Sequence, residues 1–176
     1  TFPQDSLAIL NLSGYVNANI YPYIRLIAFT KDKVNYTSPQ LKRWHVLYDE
    51  APECALNPIK GFTALNVKLQ EGDTTTFIFP IENIGKKTFN DSLVVTYWLE
   101  DNQNNKVMQS QKLKRKLFAP GEILLDTVKI NSFQLVGNNS FWVYINPVGN
   151  TNYQKEQFQF NNIGRYLFTV TKDITN

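Results

Sequence analysis

From residue 62 onward the chain is written in twos, with apolar residues at alternate positions in short runs separated by turn-forming clusters. "TTTFIFPIEN" puts Phe77, Phe79 and Ile81 on one face, and "SLVVTYWLE" does the same for Leu93, Val95, Tyr97 and Leu99. That spacing is the signature of strands covered on one side, and no run shows the i, i+3, i+4, i+7 spacing of an amphipathic helix. Pro80 within the first run predicts an edge or an interrupted ladder, because proline has no N–H to donate. "DNQNN" predicts a hairpin turn into "KVMQSQKLKRKLF", and "APGE" a turn into "ILLDTVKI". "NSFWVYINP" and "QFQFNNIGRYLFTVT" complete about seven strands, so the fold class is all-β and the architecture an immunoglobulin-like sandwich.

The leading part reads differently. "SLAILNL", "NIYPYIRLIAFTKD" and "LKRWHVLY" look like strands, and in the second of them both faces are largely apolar. Three strands cannot close a sandwich, so the segment resembles the closing strands of a jelly-roll-like module that packs onto the sandwich of its own chain or of a second copy. "DEAPECALNPIKG", with Pro52, Pro58 and Gly61, breaks the rhythm. The expected division is residues 1–57 as a β-rich segment and 58–176 as the sandwich.

The 176 residues are 43% hydrophobic and 14% aromatic, enough for a sizeable core, and no apolar run is long enough to span a bilayer as a helix. A net charge of +3, spread along the chain, does not fit a dedicated nucleic-acid binder. Cys54 is the single cysteine and His45 the single histidine, which excludes an intrachain disulfide and a Cys/His zinc site. Those two residues also form the one conceivable thiol–imidazole dyad, but no glycine-rich surroundings would build an oxyanion hole, so Cys54 reads as a small apolar residue in a linker and His45 as a strand residue. "DNQNNK" lacks the bidentate glutamate of an EF-hand and is better read as the hairpin. No cofactor or metal is expected. Thr1 is not a natural start and no signal-peptide pattern follows it, so the expectation is a piece of a longer polypeptide.

Two sets of residues carry interaction chemistry. Tyr21, Tyr23, Trp44 and Tyr48 would form a sugar platform if their rings shared an exposed face, or an interdomain wall if they were covered; the wall is favoured because large apolar patches are costly to expose. Lys112, Lys114 and Lys116 share one face of "QKLKRKLF" and read as an outward lysine ladder that keeps an edge strand from pairing with other sheets. Asn161 and Asn162 are expected to pin the last corner of the sandwich through bonds to nearby backbone.

The order of turns also resembles a known family. Gly72-Asp73, Asn83 with Gly85, Pro120-Gly121-Glu122, Glu156 and Asn161-Asn162 occupy the places of the "GD", "NxG", "PGE" and "E…NN" signatures of the bacterial cell-adhesion-related domain, CARDB. Asn146-Pro147 stands where that family has Asp-Pro. With "YPYIRL", "LKRWHVLY" and "FNN" included, nearly the whole chain is similar to the C-terminal region of PorU-like proteins, gingipain-type cysteine peptidases of the type IX secretion system. The resemblance implies an outer-surface location on a Gram-negative bacterium, a catalytic domain upstream, and no catalysis in these residues. The function expected is that of a structural and interaction module that spaces and orients neighbouring domains of its own polypeptide, with secretion-system or cell-surface proteins as further partners and no membrane insertion. The rival is a carbohydrate-binding or adhesive module with polysaccharide as its partner.

Overall fold

The computed structural model describes residues 14–17, 20, 21, 23–25, 27, 31–36, 46, 49–114 and 117–172. The chain divides into two compact units, residues 1–47 and 48–176. The division falls before the boundary expected near residue 57, because the proline-rich stretch taken for a linker is itself built into the second unit.

In the first unit the described residues of 19–32 lie in no strand, contrary to the reading of "NIYPYIRLIAFTKD". Local bonds bend the chain instead. The Asn17 carbonyl accepts the N–H groups of Ile20 and Tyr21 at 3.0 and 2.9 Å, and the Asp32 carboxylate accepts those of Val34 and Asn35 at 2.8 and 3.0 Å. Among the described residues of this unit there is no strand to take the amides of that apolar run. "SLAILNL" and, Val46 apart, "LKRWHVLY" lie outside the described residues.

The second unit is an immunoglobulin-like β-sandwich with nine strands among its described residues: β1 (Cys54–Leu56), β2 (Thr63–Ala64), β3 (Lys68–Gln70), β4 (Thr74–Asn83), β5 (Val94–Glu100), β6 (Lys106–Leu113), β7 (Ile123–Asn131), β8 (Gly137–Ile145) and β9 (Ile163–Thr171). One sheet has β4 at its centre, β7 on one side, and β1 and β2 in succession on the other; the second runs β3-β9-β8-β5-β6. The first three strands are pieces of one leading strand that changes sheets. β1 and β2 run antiparallel to β4, whereas β3 pairs parallel with β9. Counted this way the described residues form seven strands: the six quoted runs and a leading strand that the alternation does not display.

Pro80 sits at the break. The 3-10 turn Pro58–Lys60 separates β1 from β2, and the Asn57 N–H reaches the Pro80 carbonyl at 3.1 Å on that side. Since N–H and C=O of one strand residue point the same way, the donor that Pro80 lacks faces this gap and the ladder to β7 runs on uninterrupted.

Alternation delivers the core as predicted: Phe77, Phe79, Ile81 and Val95 are fully buried, as are Phe141, Val143 and Ile145 of β8. Across the two sheets Phe77 and Phe141 lie ring on ring, 4.2 Å between centroids and 4° from parallel. The "DNQNN" hairpin is present, held by the Asp101 carboxylate, which accepts the N–H groups of Gln103 and Asn105 at 2.8 Å each.

Lys112 of β6 and Lys114 just past its end do not form an outward ladder. Lys112 and Lys114 reach across the open side of the sandwich to Asp126 of β7, which is 5% exposed and points inward; the Lys114 ammonium bonds its Oδ1. Lys112 also donates to the Thr127 carbonyl at 2.8 Å, while Oδ1 of Asp126 accepts the Thr127 N–H at 2.8 Å. Where two sheets splay apart at their edges there is room for a lysine stem, and a charge pair placed there occupies the free backbone groups of β7. Protection of the edge is thus retained, by inward rather than outward charge. Lys116 lies outside the described residues.

Candidate functional site

The chain enters the sandwich through a clamp of two buried carboxylates. Glu53, just ahead of β1, reaches the β8–β9 loop: its Oε2 accepts the N–H groups of Gln157 and Phe158 at 2.8 and 3.2 Å, and its Oε1 the Asn161 amide at 2.9 Å. Glu156, on that loop, reaches back: its Oε2 accepts the Cys54 N–H at 2.6 Å, and its Oε1 the amides of Asn162, at 2.8 Å, and of Asn146. Each segment thus holds the other by its own glutamate. The backbone closes the corner, with the Leu56 N–H on the Asn161 carbonyl at 2.8 Å and the Ile145 N–H on the Asn162 carbonyl at 2.9 Å.

Local sequence explains the geometry. Asn146 takes φ 47°, a left-handed conformation that asparagine tolerates better than most residues, and its side chain spans the loop by donating to the Gln154 carbonyl and accepting the Gln154 N–H at 3.0 Å. Gly85 lies so close to the entering chain that a Cβ there would stand 2.7 Å from the Glu53 nitrogen. The "NxG" glycine is therefore a packing requirement of the clamp.

Burial, the largest cause, raises the Glu156 carboxyl above the usual carboxylate range, against the opposing hydrogen bonds of Asn146, Cys54 and Asn162. A carboxyl that keeps its proton longer in the fold than in the unfolded chain adds stability fully present below about pH 4.3, the ordinary glutamate value, and lost as pH rises through its folded value. The stability of the native chain minus that of Glu156→Gln is therefore expected to increase as pH falls from neutral toward 4. Denaturant unfolding of both proteins across that range measures it.

Cys54 is a fully buried member of β1, not a linker residue. Burial first, and then the charge of Glu156, push its thiol far above the ordinary range, which disfavours the thiolate. His45 lies outside the described residues. Among the described residues no three carboxylate, histidine or cysteine side chains come together to hold a metal ion.

Of the expected aromatic surface, Tyr21 and Tyr23 are exposed, 63% and 91%, while Trp44 and Tyr48 lie outside the described residues. The amides of Asn161 and Asn162, expected to bond nearby backbone, bond the carboxylates of Glu53 and Glu156. Their own carbonyls take the backbone N–H groups of Leu56 and Ile145.

Sequence reasoning passed over a second aromatic feature, on the outer face of the five-stranded sheet. Trp98 of β5 and Trp142 of β8 stack 5.6 Å apart and 6° from parallel. Lys106 covers the free side of Trp98 at 4.6 Å and Arg165 that of Trp142 at 5.2 Å. Both indole N–H groups donate to Glu100, at 2.9 and 2.8 Å. The signal was present: with Tyr97 and Leu99 inward, period two sends Trp98 outward. Because each ring has one face on its partner and the other under a cation, the pair is not a flat sugar platform.

No family model matches the chain, and no curated protein matches it. Among solved structures it is similar to the CARDB domain of the PF1109 protein from Pyrococcus furiosus, described as a crystal structure in complex with di-metal ions, with a TM-score of 0.52 at 12% identity over 72% of this chain and 100% of that one. The solution structure of the same domain gives a TM-score of 0.50 at 13% identity, over 70% of this chain and 98% of that one. The second unit is therefore a β-sandwich module with a CARDB-like fold.

Proposed function

We propose that this chain is a non-catalytic module of a large secreted or cell-surface protein, one that spaces and orients its neighbouring domains. What supports the reading above all is the path of the backbone. The chain enters at the end of the sandwich formed by Cys54, Asn83 and Ile163, and β9 carries it away to the opposite end, where Thr171 lies beside Gln70. Nine residues of β9 at ~3.3 Å each separate entry from exit by about 30 Å. A module of this kind sets a fixed distance between whatever precedes and follows it, and the double carboxylate clamp makes the entry stiff.

The sequence motifs extend this reading to a parent resembling the type IX secretion peptidases, on the extracellular side of a Gram-negative outer membrane. The chemistry stays with the parent. The carboxylates of Glu53 and Glu156 each accept three hydrogen bonds and burial disfavours the Cys54 thiolate, which supports a structural task for all three.

Spin labels at Ala51→Cys and Lys172→Cys in a Cys54→Ala background test the spacing role by dipolar distance measurement. A single narrow distribution on the order of 30 Å is expected, that being the span of β9. A distribution as broad as that of a flexible linker would show that the entry is not held, and the spacing role would fall.

A further inference from the structure

The hairpin between β5 and β6 overhangs the outer face of the five-stranded sheet and encloses, with β8 and β9, a cleft of about 510 Å³. Asn104 lines it from the hairpin, Asn138 and Ser140 from β8, and Arg165, Leu167 and Thr169 from β9. Register places these side chains together: Arg165 faces Trp142, Leu167 faces Ser140, and Thr169 faces Asn138.

Charge within the cleft is lopsided. Asp101 lies in its wall, but both its oxygens are engaged by the hairpin, one by the N–H groups of Gln103 and Asn105 and the other by the Asn105 amide. Glu100 nearby is engaged by the two indoles. Among the described residues no carboxylate comes within ion-pair distance of Arg165, whose guanidinium lies against Trp142. The stack of Lys106, Trp98, Trp142 and Arg165 thus holds a planar cation in place, its donors unpaired among the described residues. Pre-organisation of this kind lowers the ordering cost of binding, and a guanidinium fork matches a carboxylate in two-point contact.

The rest of the lining narrows the class. The Asn104 amide, the Ser140 hydroxyl and the NH₂ of Asn138, whose Oδ1 accepts the Thr169 hydroxyl at 2.8 Å, suit vicinal hydroxyls, and Leu167, 63% exposed, offers an apolar surface to the C–H face of a pyranose ring. We propose that this cleft binds an acidic saccharide, a uronic-acid unit whose carboxylate pairs with Arg165 while its hydroxyls bond the amides and hydroxyl around it. The ring stacks on neither tryptophan, since their faces are covered. Binding here is independent of the spacing role and adds a contact with acidic polysaccharide.

Calorimetric titration of the 176-residue chain with trigalacturonate, with neutral maltotriose, and with an N-acetylated peptide bearing a free C-terminal carboxylate tests the assignment. Trigalacturonate is expected to bind, and maltotriose at least tenfold more weakly. Arg165→Gln is expected to weaken trigalacturonate about tenfold or more, the worth of a charge-assisted pair. Arg165→Lys should recover only part of the loss, because an ammonium cannot make the two-point contact. Unchanged unfolding midpoints in both variants would assign the loss to the cleft and not to the fold. The proposal is overturned if trigalacturonate fails to bind at millimolar concentration, if maltotriose binds equally well, if Arg165→Gln has no effect, or if the peptide carboxylate binds more tightly than the saccharide.

Discussion

Phe141→Ala is expected to remove about 3–5 kcal/mol of unfolding free energy, the usual cost of truncating a large buried aromatic. Phe141 is fully buried in the middle of β8 and stacked on Phe77 from the opposite sheet, and the rings of Phe79, Tyr97 and Phe62 also stand around it at centroid distances of 6.2, 6.2 and 6.4 Å. Rings drawn from both sheets and from the β1–β2 connection meet at this one side chain. Their backbones are fixed by the ladders, so the space left by alanine cannot close by local collapse, and the lost transfer energy and the cavity add. Phe141→Leu keeps much of the volume and should lose markedly less. Urea unfolding followed by tryptophan fluorescence measures both.

Glu53→Ala should lower stability by about 2–4 kcal/mol, although Glu53 touches none of the core aromatics. Its carboxylate accepts three hydrogen bonds, from Gln157, Phe158 and the Asn161 amide, and the residue is 7% exposed. Removing it leaves three donors facing a small void in the corner, and the desolvation cost of unsatisfied groups exceeds the net worth of the bonds themselves. The loss should be local in character: β1 and the loop 157–161 would separate while the ladder between β4 and β7 stays intact. Glu53→Gln keeps one acceptor oxygen but turns an NH₂ toward donors, so an intermediate loss is expected. Urea unfolding of the three proteins ranks them.

The long strands were legible because burial on one face imposes an alternation that nothing else in a sequence imitates. Phe77, Phe79 and Ile81 on β4, and Leu93, Val95, Tyr97 and Leu99 around β5, could be placed from that pattern. β1, β2 and β3 could not, since elements of two or three residues broken by a proline turn have no period to display. Cys54 was misplaced for that reason. Lys112 of β6 and Lys114 just beyond it were given the wrong surroundings: Lys114 bonds Asp126, twelve residues away on the facing sheet, and no local pattern reports a contact between sheets. The bond of the Asn161 amide to Glu53, more than a hundred residues earlier, has no local signal, whereas Asn162 bonds Glu156 only six residues away. Apolar content alone misled at Tyr21 and Tyr23, where the described residues find no strand to join.

That the stretch around Glu53 and Cys54 belongs to the sandwich can be put to the test with the chain's single thiol. Under native conditions at neutral pH, a thiol reagent in excess should label Cys54 only as fast as the protein unfolds, and should label it faster in Glu53→Ala. Stoichiometric labelling of the native chain within seconds would mean that β1 is not sealed against the sheet and that the clamp described above does not hold.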